Sequence, residues 1–167
     1  MNFSPQIFTG GNIFLDGIGN VGLLKSIDMP KLENETLEIS GAIGKAELVL
    51  PSLKPLSVKF EIQALNPVVI QLCSGVLIKT VNVKLNASQA GIVQTNSKVE
   101  GIFIGAAKST ELPKYEINGE VSFSVEMSVY SFTLMLENVP VIVYDFENGI
   151  YTVNGIDQLA AIRANIN

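Results

Sequence analysis

The sequence has no histidine, which removes the commonest general base and the commonest side-chain metal ligand. Its single cysteine, Cys73, can form neither an internal disulfide nor a zinc site. With Val68, Val69, Ile70 and Leu72 beside it, the thiol reads as buried. No Gly-x-Ser-x-Gly elbow is present. Charged residues make up only 16% of the chain, and 11 basic side chains against 16 acidic ones leave a net charge of −5. With a pI near 4.7, an electrostatic grip on nucleic acid or on an anionic membrane is not expected. No apolar run approaches the length of a membrane span, and residues 1–11 lack the basic and apolar regions of a signal peptide. The expected site of folding is therefore the cytoplasm, with no membrane partner, and the sequons at Asn34 and Asn86 are read as chance.

What the chain does have is apolar content. At 167 residues with 47% hydrophobic side chains, it is expected to form one ordered domain with its own core. A mean hydropathy of +0.36 is high for a soluble monomer, which points to apolar surface buried between subunits.

The organising stretch is residues 115–136. Glu116, Asn118, Glu120, Ser122, Ser124, Glu126 and Ser128 alternate with Ile117, Val121, Phe123, Val125, Met127 and Val129, the period of a strand with one dry face. After Val129 the phase slips, and Tyr130, Phe132, Leu134 and Leu136 become the apolar series. Fully extended, the run would reach about 70 Å, against a radius of gyration of about 15 Å for a compact chain of this length. It must bend near the slip or project beyond its domain. A bent ribbon can feed two packed sheets, and a projecting one needs a neighbour.

Residues 1–20 read as an extended amino-terminal arm with a turn at Asp16-Gly17, followed by a strand over 22–28. Residues 31–54 read as a protruding hairpin whose bend, at 40–45, holds Gly41 and Gly44. Leu56, Val58, Phe60, Ile62 and Ala64 alternate with Ser57, Lys59, Glu61 and Gln63, a second firm strand. Asn66-Pro67 can cap and start a short helix over 67–74, with Gly75 as its stop and Val69, Ile70, Leu72 and Cys73 packed on a sheet. A strand is expected over 76–86, a loop over 87–98, and a strand over 99–108 with Gly101 and Gly105 as bulge or close-approach sites. A loop over 109–114 leads into the long ribbon, which turns at 137–140 into a strand over 141–145. Asn148-Gly149 signals a hairpin. Asn154 is expected to cap a closing helix over 155–164, with Asp157 as its third residue.

Two motif matches fail on context. Gly17-Ile18-Gly19-Asn20-Val21-Gly22 fits the glycine pattern of a dinucleotide-binding turn, with Glu38 at the right distance. That pattern needs a buried strand and a long helix, whereas Pro30 would cut the helix short. The glycines are read as turn residues. At Gly41 to Lys45 a phosphate loop would need glycine where Ile39 stands and Ser or Thr where Ala46 stands. Glu33 and Glu35 share one strand face, but their ordinary reading is an exposed face rather than a catalytic pair.

The chain's two ends carry a resemblance. Asn12-Ile13-Phe14-Leu15-Asp16-Gly17, then Gly22, then Met29-Pro30-Lys31-Leu32 resembles the opening of the major tail tube proteins of contractile-tailed bacteriophages, a family also used by R-type bacteriocins. Met29 departs from that family's usual leucine. Val153-Asn154-Gly155-Ile156-Asp157-Gln158-Leu159, with Arg163, Asn165 and Ile166 beyond, is similar to the family's closing segment. In between, residues 40–46 fall at its glycine-rich hairpin tip and residues 66–75 at its short helix.

The resemblance implies a mainly β fold, a β-sandwich or open barrel with a long hairpin and one or two short helices. It also implies hexameric rings stacked into a tube inside a sheath, with baseplate and tail terminator proteins as further partners and a lumen through which DNA slides unbound. No cofactor, metal or catalytic group is implied. Assembly candidates are Asn12, Phe14, Asp16, Gly17, Gly22, Pro30, Lys31, Leu32, Gly41, Gly44, Asn154, Gly155 and Asp157. Lumen candidates are the polar faces Ser57, Lys59, Glu61 and Gln63, and Glu120, Ser122, Ser124 and Glu126. Two alternatives stand beside this reading: the tube of an R-type bacteriocin or contractile secretion device, and a monomeric ligand-binding β-barrel.

Overall fold

The structure is a computed structural model, and it describes residues 4–16, 19–71, 77–90 and 95–166. The expectations for Gly17, Leu72, Cys73 and Gly75 lie outside the described residues.

Strand β5 (Leu56–Ile62) follows directly from its sequence. Leu56, Val58, Phe60 and Ile62 are buried, and the polar residues between them are more exposed. It pairs with β2 (Gly19–Asp28) on one edge and β8 (Phe123–Leu136) on the other. From β8 the ladder continues through β7 (Thr95–Glu111), β6 (Lys79–Gln89) and β1 (Gln6–Leu15) back to β2, all antiparallel. Six strands thus close on themselves, and what reads as a sandwich or open barrel is a closed, barrel-like sheet. Strands β9 (Val139–Asp145), β10 (Ile150–Val153) and β11 (Ile156–Asp157) extend it from the second half of β8. A separate two-stranded sheet is made by β3 (Asn34–Gly41) and β4 (Gly44–Leu53). Helices α1 (Pro67–Ile70) and α2 (Ala160–Ile166) are short.

The phase slip in the long ribbon is a β-bulge. Val129 opposes Gly105 and Ser131 opposes Ile104, so Tyr130 has no counterpart on β7. Val129 and Phe132 are both buried across the slip, while Tyr130 turns outward. The bulge also divides β8's other edge between two partners, with residues 123–129 pairing to β5 and residues 131–136 to β9. Gly105 sits against this site, where a Cβ would lie 1.9 Å from the Ser128 carbonyl oxygen. Inside the barrel Phe103 stacks on Phe132 at 5.1 Å and meets Phe60 edge-on at 5.6 Å.

Several expectations are corrected. The ribbon does not begin at residue 115. Asn118 has φ +61° and Gly119 N–H donates to the Glu116 carbonyl, so this part of the chain turns, and β8 starts at Phe123. Glu120 and Ser122 therefore sit in a loop. Residues 6–15 are not a free arm, because β1 is hydrogen-bonded to β6 along its length. The loop expected over 87–98 belongs largely to strands, with Ala87 opposite Ser97 and Gln89 opposite Thr95. The expected 109–114 loop begins later, since β7 runs to Glu111. Helix α1 has the expected cap, Asn66 Oδ1 accepting from Val69 N–H at 2.9 Å, but is described only to Ile70. Val69 is fully buried and Ile70 is exposed.

Asn154 caps no helix. Asn154 and Gly155 have φ +50° and +78° and join β10 to β11, with Val153 opposite Ile156. A helix cap needs an extended backbone, whereas Asn-Gly with two positive φ values is the favoured two-residue hairpin turn. The closing helix accordingly starts at Ala160 instead of 155.

Candidate assembly surfaces

Pairing across β2, β5, β8 and β7 puts polar side chains in rows on the barrel's outer face. Asp28, Lys59, Glu126 and Ser109 form one row, and Ser26, Glu61, Ser124 and Glu111 the next. Around Glu61 the rows are cross-linked. Ser122 and Ser26 hydroxyls donate to its two oxygens, and Lys25 Nζ lies 3.4 Å away. These two hydrogen bonds, helped by Lys25, hold the Glu61 carboxyl below its ordinary pKa, and Glu61 in turn raises that of Lys25. Gln63 Nε2 donates to Glu120 at 3.1 Å, Lys25 reaches Glu120 at 3.5 Å, and Lys108 pairs with Glu126 at 3.2 Å. Lys59, Glu61, Ser122 and Ser124 line a recess together with Glu111 and Lys114.

The structure thus brings the lumen candidates together on one face and adds Lys25, Ser26, Asp28, Lys108, Glu111 and Lys114. Sequence periodicity missed Lys25 and Ser26 because β2 is irregular between Leu24 and Ser26. The loop residues Glu120 and Ser122 reach the face through hydrogen bonds, not through strand alternation. Lys25, Lys59, Lys108 and Lys114 stand against Asp28, Glu61, Glu111, Glu120 and Glu126, so the face is close to neutral rather than acidic.

The second surface is a parting in the wall. β1 pairs with β2 only through residues 12–15. Below that, among the described residues, β1 bonds only to β6, and β2 bonds only to β5. Between the parted halves lies a recess of about 580 Å³, whose lining includes Phe8, Leu23, Leu24, Ile27, Met29 and Leu85. A neighbouring apolar recess of about 490 Å³ shares Phe8 and Met29 and takes in Pro30, Leu32, Phe132 and Leu134.

The third surface is the β3–β4 hairpin. Leu37 opposes Leu48 and Ile39 opposes Ala46, while Glu38 opposes Glu47 and Ser40 opposes Lys45. One side is therefore apolar, yet Leu37, Ile39 and Leu48 are all exposed, as is Ile43 at the tip. The other side is polar, with Lys45 2.8 Å from Glu38 and Thr36 donating to Glu47 at 2.6 Å. At the base Glu33 is paired with Lys54 at 3.0 Å and Lys31 at 3.2 Å, and hydrogen bonds from these two lysines keep its carboxyl below its ordinary pKa.

The remaining motif positions are spread over the fold. Asn12 and Phe14 lie on β1, the ring of Phe14 4.9 Å from Lys84 Nζ. Asp16 N–H donates to the Thr80 carbonyl, and Gly22 lies opposite Ile13. Gly41 and Gly44 face each other at the hairpin tip, where Gly44 has φ +145°. Asp157 pairs with Arg163 at 2.8 Å, and the same guanidinium donates to the Gly149 carbonyl, fixing α2 to the β9–β10 turn.

Comparison with known proteins identifies this architecture. Solved structures share the fold at low sequence identity, among them the following three. One is the sheath/tube terminator of the extracellular contractile injection system PVC in its extended state, with 8% identity, 81% of this chain and 99% of that chain covered, and a TM-score of 0.55. Another is the sheath-tube complex of the same system, with 9% identity, coverage of 75% and 88%, and a TM-score of 0.54. The third is the tube terminating cap of the anti-feeding prophage, with 11% identity, coverage of 81% and 93%, and a TM-score of 0.59. No curated protein sequence matches the chain. The sequence model of the family described as phage tail tube protein FII matches residues 5–166. The chain therefore belongs to the phage tail tube protein FII family, structural proteins of a contractile tail and not enzymes.

Proposed function

We propose that this virion tail component is the repeating subunit of the inner tube, with six copies closing a ring and rings stacking into a channel through which DNA leaves. The observation that carries the reading is the β3–β4 hairpin. A two-stranded sheet is at best marginally stable in water, and this one has its apolar side, Leu37, Ile39 and Leu48, left exposed by the described residues of its own chain. A second copy resolves both difficulties. The polar face built on Lys59, Glu61, Gln63, Glu120, Ser122, Ser124 and Glu126 is assigned to the lumen, because a near-neutral, internally paired surface holds phosphate weakly. The opening motif from Asn12 to Leu32, the tip glycines Gly41 and Gly44, and the Asn154-Gly155 turn with Asp157 are assigned to contacts between copies. A sheath outside and baseplate and terminator proteins at the ends complete the assembly, which forms in the bacterial cytoplasm.

A near-neutral lumen serves equally for protein cargo, and the structural neighbours come from an extracellular contractile injection system and an anti-feeding prophage. A bacteriocin or injection tube is therefore the second reading. The ligand-binding barrel has less support, since Phe60, Phe103 and Phe132 pack across the barrel interior. Electron microscopy of the concentrated protein tests the tube: rings or filaments of uniform diameter are expected, and a persistent monomer overturns it.

A further inference from the structure

Two features of this chain complement each other. The wall of the barrel is parted between residues 6–11 of β1 and residues 24–28 of β2, and among the described residues each of these segments has a backbone edge without a strand partner. Facing the core, the parting shows Leu24, Ile27, Met29 and Leu85, while Lys25 and Gln63 stand at its outer rim. The β3–β4 hairpin has the matching pattern. Leu37 and Ile39 point to one side of β3, and Glu38 points to the other with Glu47 beside it.

From this match we propose that β3 of one copy docks in the β1–β2 parting of another. Leu37 and Ile39 would cover the apolar recess, and Glu38 would come up on the same side as Lys25. This rests on the tube reading and deepens it by naming the surface that receives the hairpin. Pairing an added strand to an open sheet edge satisfies backbone groups, and alternate side chains fix its register. The period of two in β3 leaves one register parity in which apolar residues meet the recess; a slip by one would put Glu38 into it. A hairpin strand of eight residues is about 26 Å long, so its tip stands well away from the base formed by Glu33 and Lys54. That reach suits a neighbour better than the chain's own wall.

The test uses full-length chains in which Cys73 is replaced by serine. One chain carries Ile39→Cys and a differently tagged chain carries Ile27→Cys, on the core-facing side of the parting. Mixed at concentrations where the parent assembles, and oxidised, they are expected to give a cross-linked pair containing both tags. A second variant, Ile39→Asp, changes a side chain already 41% exposed and should leave the circular dichroism spectrum unchanged. It is expected to weaken association at least about tenfold, the effect of losing one apolar contact. Tubes that form without the mixed cross-link, and that tolerate Ile39→Asp, overturn the docking site but leave the tube reading standing. A parent chain that never assembles overturns both.

Discussion

At the scale of single residues, Gly105 shows how one backbone position fixes the path of two strands. The wall closes there because β7 passes so near Ser128 that a methyl group would overlap the carbonyl oxygen. Gly105→Ala must therefore push β7 off β8 at the bulge, and a loss of about 3 kcal/mol is expected from overpacking of this kind. Urea denaturation of the dilute protein measures it, and a change near zero would show that the bulge can shift freely. Glu61 makes a different prediction, through pH. Its carboxyl has a pKa below its ordinary 4.5 in the folded chain, so its stabilising contribution is complete above that value and is lost as the pH falls through the folded pKa. Glu61→Gln removes this titration. The stability difference between parent and variant should be largest near neutral pH and shrink as the pH falls below the ordinary value of 4.5 and through the lowered folded pKa. Because the side chain is still 31% exposed the effect is small, and a difference that is flat with pH would argue against the Ser122 and Ser26 hydrogen bonds.

At the scale of elements, the hairpin is where folding and assembly separate. Gly44 has a backbone angle that a β-branched residue adopts only with strain, while Gly41 has ordinary contact distance to spare. Replacing both with valine should distort the tip and prevent stacking, yet leave the barrel's melting temperature within a few degrees, since β3 and β4 pair only with each other. Electron microscopy and a thermal melt check the two halves of this claim, and an unfolded variant would place the tip in the core. The same separation explains what the sequence made legible. Strand β5 and the 123–136 part of β8 could be read from alternation because each packs one face against a filled interior. The slip after Val129 was visible because a bulge changes which side chains are dry. The residue 115–122 segment misled because Asn118 falls in the polar phase of the alternation while it and Gly119 make a turn. Asn154 misled because one residue type serves both as a helix cap and in a hairpin turn, and only the backbone angle separates the two. The parting between β1 and β2 left no trace in periodicity at all, since it depends on where strands at a distance in sequence stop pairing.

At the scale of the whole molecule, the sign of the chain's charge says less than its distribution. The net −5 is not concentrated on the polar face, which carries lysines already engaged by carboxylates, as with Lys25 and Lys108. A surface of this kind avoids DNA by having no uncommitted run of cations rather than by repulsion. Whether that surface faces the channel can be decided by making it sticky. Glu120→Lys together with Glu126→Lys reverses two charges and frees Lys108 from its partner. Assembled parent tubes should hold no short double-stranded DNA even at about 50 mM salt, whereas variant tubes should bind it with an affinity that falls steeply as salt rises. A nuclease added afterwards reports the location. DNA protected inside the variant tubes is the expected result, and DNA that is bound but fully digested would put this face on the outside, turning the β1–β6 side of the barrel toward the channel instead.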